Sequence, residues 1–571
     1  MSNEMKWVRR NLIALWDGQP YETPEDREAN MAECDRILIA LHRFQTKGQV
    51  AYRRLLGMHG GGGGTSDNGF RDILTKKVQL DIENHYGGNF PQNGYWPEPV
   101  PNAAPPQLVT EDNPDRAFAY TFCWHAQPEF LIWHRAITAE FERGLQQHDP
   151  YFDGCSDPSD RHKDHSALGA PYWAWEGWDG LTLPQTVGNS IYVIKTDKWE
   201  KQGYPKGSVF PNPYHRWFSP VSLEGQRTEY FPTTLNSGNT TTRAAAFDDP
   251  GSEFSQPWEQ ITSSKKPSME YNVYSALLNR NWLKFCTMNA DVGGGNLSIE
   301  NAHNKFHNHV GGITMGGVQG SGKQIDSVGL EYTGTMGQNQ SIFDPMFWLH
   351  HSNVERQLCS WQKLHITGTA EQYKESVPSE ALMKTVLYPW TKPNYLFSGR
   401  LSWNTPASKD ADATFGDWFD HTTLPYIYDD YLLFNDDAAR YKGNPMYGGL
   451  TPPSGIPIRN EDEVRMKVYF SIKFYKSGEF ALYFTASSTT KRVLVSTISV
   501  LSSSEGVCGR CGSRRKCAVG YDVTETFPTV QAAEDAWNKD KSGKLSLTRN
   551  DSDIEITDVK VEKWFGDDEK N

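Results

Sequence analysis

The stretch NAHNKFHNHV, residues 301–310, places His303, His307 and His309 close together in a chain with 16 histidines in 571 residues. Residues four apart share a helix face, so His303 and His307 can turn both imidazoles to one centre. His309 falls about 200° round the helix from His307 and is expected beside the site or at the surface. A second group lies in FDPMFWLHHSNVER. Asp344 suits an N-cap there and Pro345 the first helical position. His350 and His351 are about 100° apart on that helix, so one of them points at a given centre. A third group is CWHAQPEFLIWHR, with His125 and His134. Pro128 fits a helix start, which puts His134 on the helix and His125 in the loop before it. His59 closes a helical stretch at LLGMHGG. Imidazole groups without a matching set of carboxylates or thiolates suit copper, zinc, iron or nickel. Helix bundles build dinuclear sites from side chains on facing helices.

The elements that must carry these residues are legible from pattern. Residues 24–57 open with Pro and acidic residues and then place Met31, Cys34, Ile37 and Leu41 on one face, which predicts helices. The glycine run Gly60–Gly64 ends that pattern. Helices are also predicted over PEFLIWHRAITAEFERGLQQH and around 299–309 and 344–365; 180–270 is predicted to be mostly loop. Past a Gly/Pro-rich stretch, VRMKVYFSIKFY alternates with period two, the pattern of a half-buried strand. KSGE then reads as a hairpin turn into FALYF. The fold expected is a mainly α core, a helix bundle with long loops, plus a β-rich C-terminal domain. Its boundaries are 1–430 for the core, 431–462 for a linker and 463–571 for the tail.

Composition removes several classes of function. A net charge of -13 argues against nucleic-acid binding, because a phosphate backbone selects basic surfaces. Mean hydropathy is -0.64 and no apolar run approaches a membrane span. The N-terminus has no long apolar core before a small-residue cleavage site, so an intracellular location is expected, or a secreted one if a leader preceded this sequence. Eight cysteines in this length are not a disulfide scaffold. NKDKSGKLSLTR mimics a calcium loop, but its twelfth position is Arg549 rather than the bidentate Glu, so calcium binding is rejected.

These pieces resemble the type-3 copper family of tyrosinases, catechol oxidases and molluscan hemocyanins. The residues that carry the likeness are MHG ending at Gly60, CWH with WHR nine residues on, PYWAW at 171–175, HNKFH at 303–307, DPMFWLHHSNVER at 344–356 and LPYIY at 424–428. The whole is most similar to fungal pro-tyrosinases with a C-terminal shielding domain. The resemblance implies two copper ions, one held by His59, His125 and His134, the other by His303, His307 and His351, with His350 as neighbour. His85, in ENHYGGNF, is a rival to His59. Cys123 and His125 match the family's thioether cross-link. O2 is implied as co-substrate and small phenols as substrates, in the chemistry of melanin biosynthesis.

Hydroxylating a monophenol requires taking a proton from a phenol of pKa near 10. In relatives a water held by Glu and Asn serves, and Glu300 and Asn304 match that pattern; Asn308 is a weaker candidate for shaping substrate choice. In the tail, Cys508 and Cys511 form C-x-x-C with Cys517 nearby. Related pro-enzymes imply copper delivery there, and soft thiolates suit Cu(I); a zinc knuckle or a redox pair are the alternatives. No aromatic residue stands shortly before that motif to plug the site, as one does in relatives. The expected function is a tyrosinase-like phenol oxidase made as a latent pro-enzyme, with a copper donor and an activating protease as partners and homo-oligomerisation open. Its rivals are a catechol or o-aminophenol oxidase, a hemocyanin-like O2 carrier, and a structural zinc protein.

Overall fold

A computed structural model describes residues 6–20, 22–48, 125, 127–153, 167–178, 182–216, 269–289, 298–311, 339–366, 376–385 and 413–432, with single positions such as His59, Arg243, Gly294 and Met336 between them. Beyond residue 463 it describes the backbone of six strands.

Seven helices organise the described core: α1 (Leu12–Trp16), α2 (Pro24–Thr46), α3 (Phe130–Gln147), α4 (Met269–Leu278), α5 (Trp282–Cys286), α6 (Ile299–Val310) and α7 (Met346–His365). Local chemistry fixes their starts. Thr23 and Asp26 form a reciprocal capping box at α2, with Pro24 in the first turn. Ser298 caps α6 by accepting from the Asn301 N–H. At α7 the helix begins at Met346, one residue later than the sequence predicts. Asp344 still serves its first turn, accepting from the Met346 N–H at 3.0 Å while Arg243 grips the same carboxylate through two nitrogens at 2.8 Å.

Helices α3 and α7 are buried on every side: Phe130 to Gln146 and Met346 to Gln362 are all shielded from solvent. A helix apolar on one stripe would sit at the surface; these two form the middle of the bundle. They pack on each other, with α2 against α3 and α4 and α6 against α7. Phe141 stacks on Trp348 at 4.3 Å and 2°, a direct seam between the central pair.

Two strands close the bundle from the chain's distant parts. β1 (Trp7–Arg9) pairs in parallel with β4 (Tyr426–Tyr428), in the register Trp7 to Tyr426 and Arg9 to Tyr428. That register delivers Arg9 to a buried carboxylate, Glu355 of α7. Glu355 takes ion pairs from Arg9 and from Arg135 of α3, and accepts hydroxyl hydrogens from Tyr426 and Tyr428. Arg9 also reaches Glu142 of α3 at 2.6 Å. Burial opposes its charge, yet Glu142 and Glu355 outweigh that and hold its pKa well above the ordinary value.

Within the stretch predicted to be mostly loop, the described residues 182–216 are irregular over about half their length and add two short strands: β2 (Ile191–Val193) and β3 (Val209–Pro211) pair antiparallel around a 3-10 turn at Asp197–Gln202. Three-residue strands are too short for alternation to register as a pattern. In the tail, β5 (Val464–Lys473) begins where the alternation predicts, the last two residues of the predicted strand, Phe474 and Tyr475, lie outside the described residues, and KSGE does not close a hairpin. β5 pairs with β8 (Arg514–Asp522) and β10 (Ile554–Lys563), whereas β6 (Gly478–Thr485) pairs with β7 (Arg492–Val500) and β9 (Lys544–Leu547). The short link therefore passes from one three-stranded sheet to another. Alternation identifies a strand but carries no information on its partner.

Replacing Glu355 by Gln leaves two buried guanidinium groups short of a counter-charge. Loss of one member of a buried pair costs about 3–5 kcal/mol. Denaturant unfolding of Glu355→Gln is expected to show a loss of that size; a change below about 1 kcal/mol would mean the network is dispensable.

Candidate metal centre

Four histidines meet where α6 and α7 face each other. His303, His307, His350 and His351 each bring a ring nitrogen within 4.8 Å of the others, and all are fully buried. The i, i+4 spacing on α6 places His303 and His307 side by side, with ring centroids 4.4 Å apart. Their Nε2 atoms lie 3.2 and 3.4 Å from the Nε2 of His351. Tetrahedral metal–imidazole bonds of 2.0–2.1 Å set ligand nitrogens about 3.3 Å apart.

The proton positions follow from the partners. His307 Nδ1 sits 2.9 Å from the Met336 carbonyl oxygen and His134 Nδ1 sits 2.7 Å from the Phe130 carbonyl oxygen. A carbonyl only accepts, so each Nδ1 carries the hydrogen and each Nε2 keeps a lone pair. His303 Nδ1 donates likewise to Asn304 Oδ1 at 2.8 Å. Lone pairs of His303 and His307 thus converge beside His351 Nε2. With a cation between them this arrangement is a ligand set.

A second group adjoins the first. His59, His125 and His134 form a near-equilateral ring triangle, with centroid separations of 5.6, 5.3 and 5.4 Å. His134 comes from α3, His125 from the non-helical stretch before it, as the sequence predicts, and His59 from a helical position. Nitrogens of His59, His134 and His351 also lie within 4.8 Å of one another. His351 therefore borders both groups, its ring stacked on His134 at 4.3 Å and 9°. Phe347, one turn before His351, packs on His59 and His351 at 4.7 and 4.1 Å and walls the space between the groups.

His350 leans the other way. It stacks flat on Phe306 at 4.3 Å and 5°, and lies 4.9 Å from His303. His309, as expected, turns aside: its ring nitrogen meets the Gly180 carbonyl oxygen at 2.6 Å. Glu300 and Asn304 are both buried on α6. Glu300 accepts from the Thr287 hydroxyl at 2.8 Å and the Met288 N–H at 3.0 Å. Asn308 is buried on the same helix. Cys123, His85, Cys508 and Cys511 lie outside the described residues, as does the side chain of Cys517. Sequence pattern missed Met336 and Phe130, because their contribution is a main-chain carbonyl, which any residue type supplies. It also missed the Met288 contact, which depends on a loop outside the histidine motifs.

The rings are held neutral. Burial first, and neighbouring imidazoles second, push His303, His351 and His134 well below the ordinary histidine value; His307 falls to about 3, through burial. In the metal-free protein these rings stay uncharged while the unfolded chain, with pKa near 6.5, takes up protons. The unfolded state then binds more protons, so stability is full above about pH 6.5 and falls as pH drops towards about 3. Denaturant midpoints of metal-free protein are expected to decline over that window, and His307→Gln to decline less steeply; equal slopes would contradict the assignment.

Comparison with known proteins accords with this donor set. The model of the common central domain of tyrosinase matches residues 75–364, just over half of the chain. A tyrosinase of Podospora anserina is 26% identical over 329 residues, which cover 52% of this chain and 49% of that protein. Hemocyanin 1 of Megathura crenulata is 24% identical over 385 residues, 67% of this chain and 8% of the hemocyanin. The chain thus spans about half or less of the length of these curated relatives. The holo-protyrosinase of Aspergillus oryzae shares the fold, with a TM-score of 0.57 at 16% identity, covering 97% of this chain and 93% of that one. Proteins of this family bind a dinuclear copper centre, and the sets His303, His307, His350, His351 and His59, His134, His351 could each hold metal. On its histidine motifs, its fold and the matched central domain, the chain belongs to the tyrosinase family.

Proposed function

We propose that the chain is a copper-dependent phenol oxidase that o-hydroxylates monophenols and oxidises o-diphenols to o-quinones with O2. The observation that carries the reading is the convergence of three Nε2 atoms at 3.2 and 3.4 Å, with the opposite nitrogens of His303 and His307 tied to acceptors. In this reading His303, His307 and His351 hold one copper, and His59, His125 and His134 the other. A copper pair supplies the electrons and the O2 activation that a side-chain set alone lacks.

The chain's own residues do the rest. Main-chain carbonyls and Asn304 fix ring orientation, so the ligands need no rearrangement when metal binds. Burial keeps the rings neutral and therefore able to coordinate. Glu300, one turn before His303 and anchored by Thr287 and Met288, stands as the buried carboxylate that receives the phenol proton, directly or through water. The division into a catalytic part (1–430), a linker (431–462) and a shielding part (463–571) belongs to the same proposal. It is supported by β6 and β7 lying against α6, the helix that carries His303 and His307. A tail seated there would make the chain latent until cleavage.

The hemocyanin likeness favours a second reading, reversible O2 carriage. O2 uptake with a simple monophenol, on copper-loaded protein after limited proteolysis, decides between them. Appearance of o-diphenol or quinone is expected; reversible O2 binding without turnover would make the chain a carrier, and turnover of catechol alone would make it a catechol oxidase. Glu300→Gln is expected to lower monophenol turnover about 10²–10⁴-fold while sparing catechol. Equal loss on both substrates would remove the proton role.

Copper counting distinguishes the adjacent pair. Because His351 borders both groups, His351→Asn is expected to lose at least one of two coppers per chain, whereas His350→Asn should retain both. The reverse result would transfer the ligand role to His350.

A further inference from the structure

Met288 is buried in the link between α5 and α6, 1% exposed, with its sulfur 3.4 Å from the side-chain nitrogen of Asn304. From this geometry we infer that Met288 is a positioning residue for the second copper site. Its thioether accepts the Asn304 amide hydrogen and thereby holds the Asn304 oxygen on His303 Nδ1–H. The inference rests on the copper reading above.

The argument turns on which acceptors can flip. His307 and His134 face main-chain carbonyls, whose orientation is set by the backbone. His303 instead faces a side-chain amide, whose oxygen and nitrogen exchange places with almost no change of shape. Flipped, Asn304 would present a donor to His303 Nδ1. That nitrogen would have to become the acceptor, the ring proton would pass to Nε2, and Nε2 could no longer take a metal. The sulfur breaks the tie, because it is a weak acceptor with no hydrogen to offer. One orientation gives it an N–H; the other sets an amide oxygen against it.

Met288 is itself held in place. Its N–H donates to Glu300 at 3.0 Å, and Thr287 donates to the same oxygen at 2.8 Å. The Asn289 N–H returns to the Thr287 hydroxyl at 3.2 Å, and the Gly294 N–H reaches the Asn289 carbonyl at 2.8 Å. A Cβ on Gly294 would come within 2.2 Å of the Thr287 carbonyl oxygen, so the loop closes this tightly only around glycine. Glu300, Met288, Asn304 and His303 therefore form one connected path.

Met288→Leu keeps the volume and removes the acceptor, a swap cores usually tolerate. Nitrogen-15 spectra of metal-free, histidine-labelled protein near neutral pH read the His303 tautomer. Wild type is expected in the Nδ1–H form, and Met288→Leu in a mixture with the Nε2–H form. Affinity for the second copper should fall about 10–100-fold in Met288→Leu, with the first copper unchanged. An unchanged tautomer and affinity in Met288→Leu would overturn the inference. In an Asn304→Asp background, where both side-chain oxygens accept, Met288→Leu should add no further effect. A further drop there would show that Met288 acts through packing, and would also overturn it. Failure of wild type to take up copper would sink the copper reading instead, while the tautomer comparison would still decide the role of Met288.

Discussion

The arrangement depends on one buried carboxylate. Glu355 stands four residues after His351, one turn along the same face of α7, and it is paired with Arg135, the residue after His134 on α3. A single ion pair thus fixes the rotation and height of the two helices whose histidines stack on each other. Arg9 approaches the same carboxylate from the N-terminal strand, and Tyr426 and Tyr428 from the strand that pairs with it. Charges this deep are costly to desolvate and are held only where geometry and hydrogen bonds satisfy them. The bundle therefore tolerates little sliding of α3 against α7, and the histidines inherit that rigidity.

The second constraint is the cost of gathering imidazoles. Each ring nitrogen buried without a partner is unfavourable, and a protonated ring more so. The fold meets the difficulty by giving Nδ1 of His134, His303 and His307 an acceptor and leaving Nε2 for metal. A site built in this way is poorly suited to holding protons and well suited to a cation that accepts several nitrogen lone pairs at once. Aromatic rings complete it: Phe306 and Phe347 pack on the imidazoles and limit their rotation.

The chain is similar both to a tyrosinase and to a hemocyanin. Fold alone does not separate these activities. The features that bear on the choice are local. Glu300 lies on α6 itself, and β6 and β7 run against that helix.

The i, i+4 pair His303 and His307, the adjacent His350 and His351, and the break between His125 and His134 were all legible in the sequence, because helix geometry converts spacing into direction. The alternation of Val464–Lys473 was legible for the same reason. Partnership was not. Nothing in the chain's pattern says that His351 borders both groups, that Arg9 reaches Glu355 across more than three hundred residues, or that β5 and β6 belong to different sheets. The carbonyls of Phe130 and Met336 were equally invisible, since every residue has one. Local sequence determined which residues could be ligands and on which faces they stand. Tertiary packing decided which faces meet, because contacts between distant segments follow from how whole helices fill space, and no short stretch encodes that.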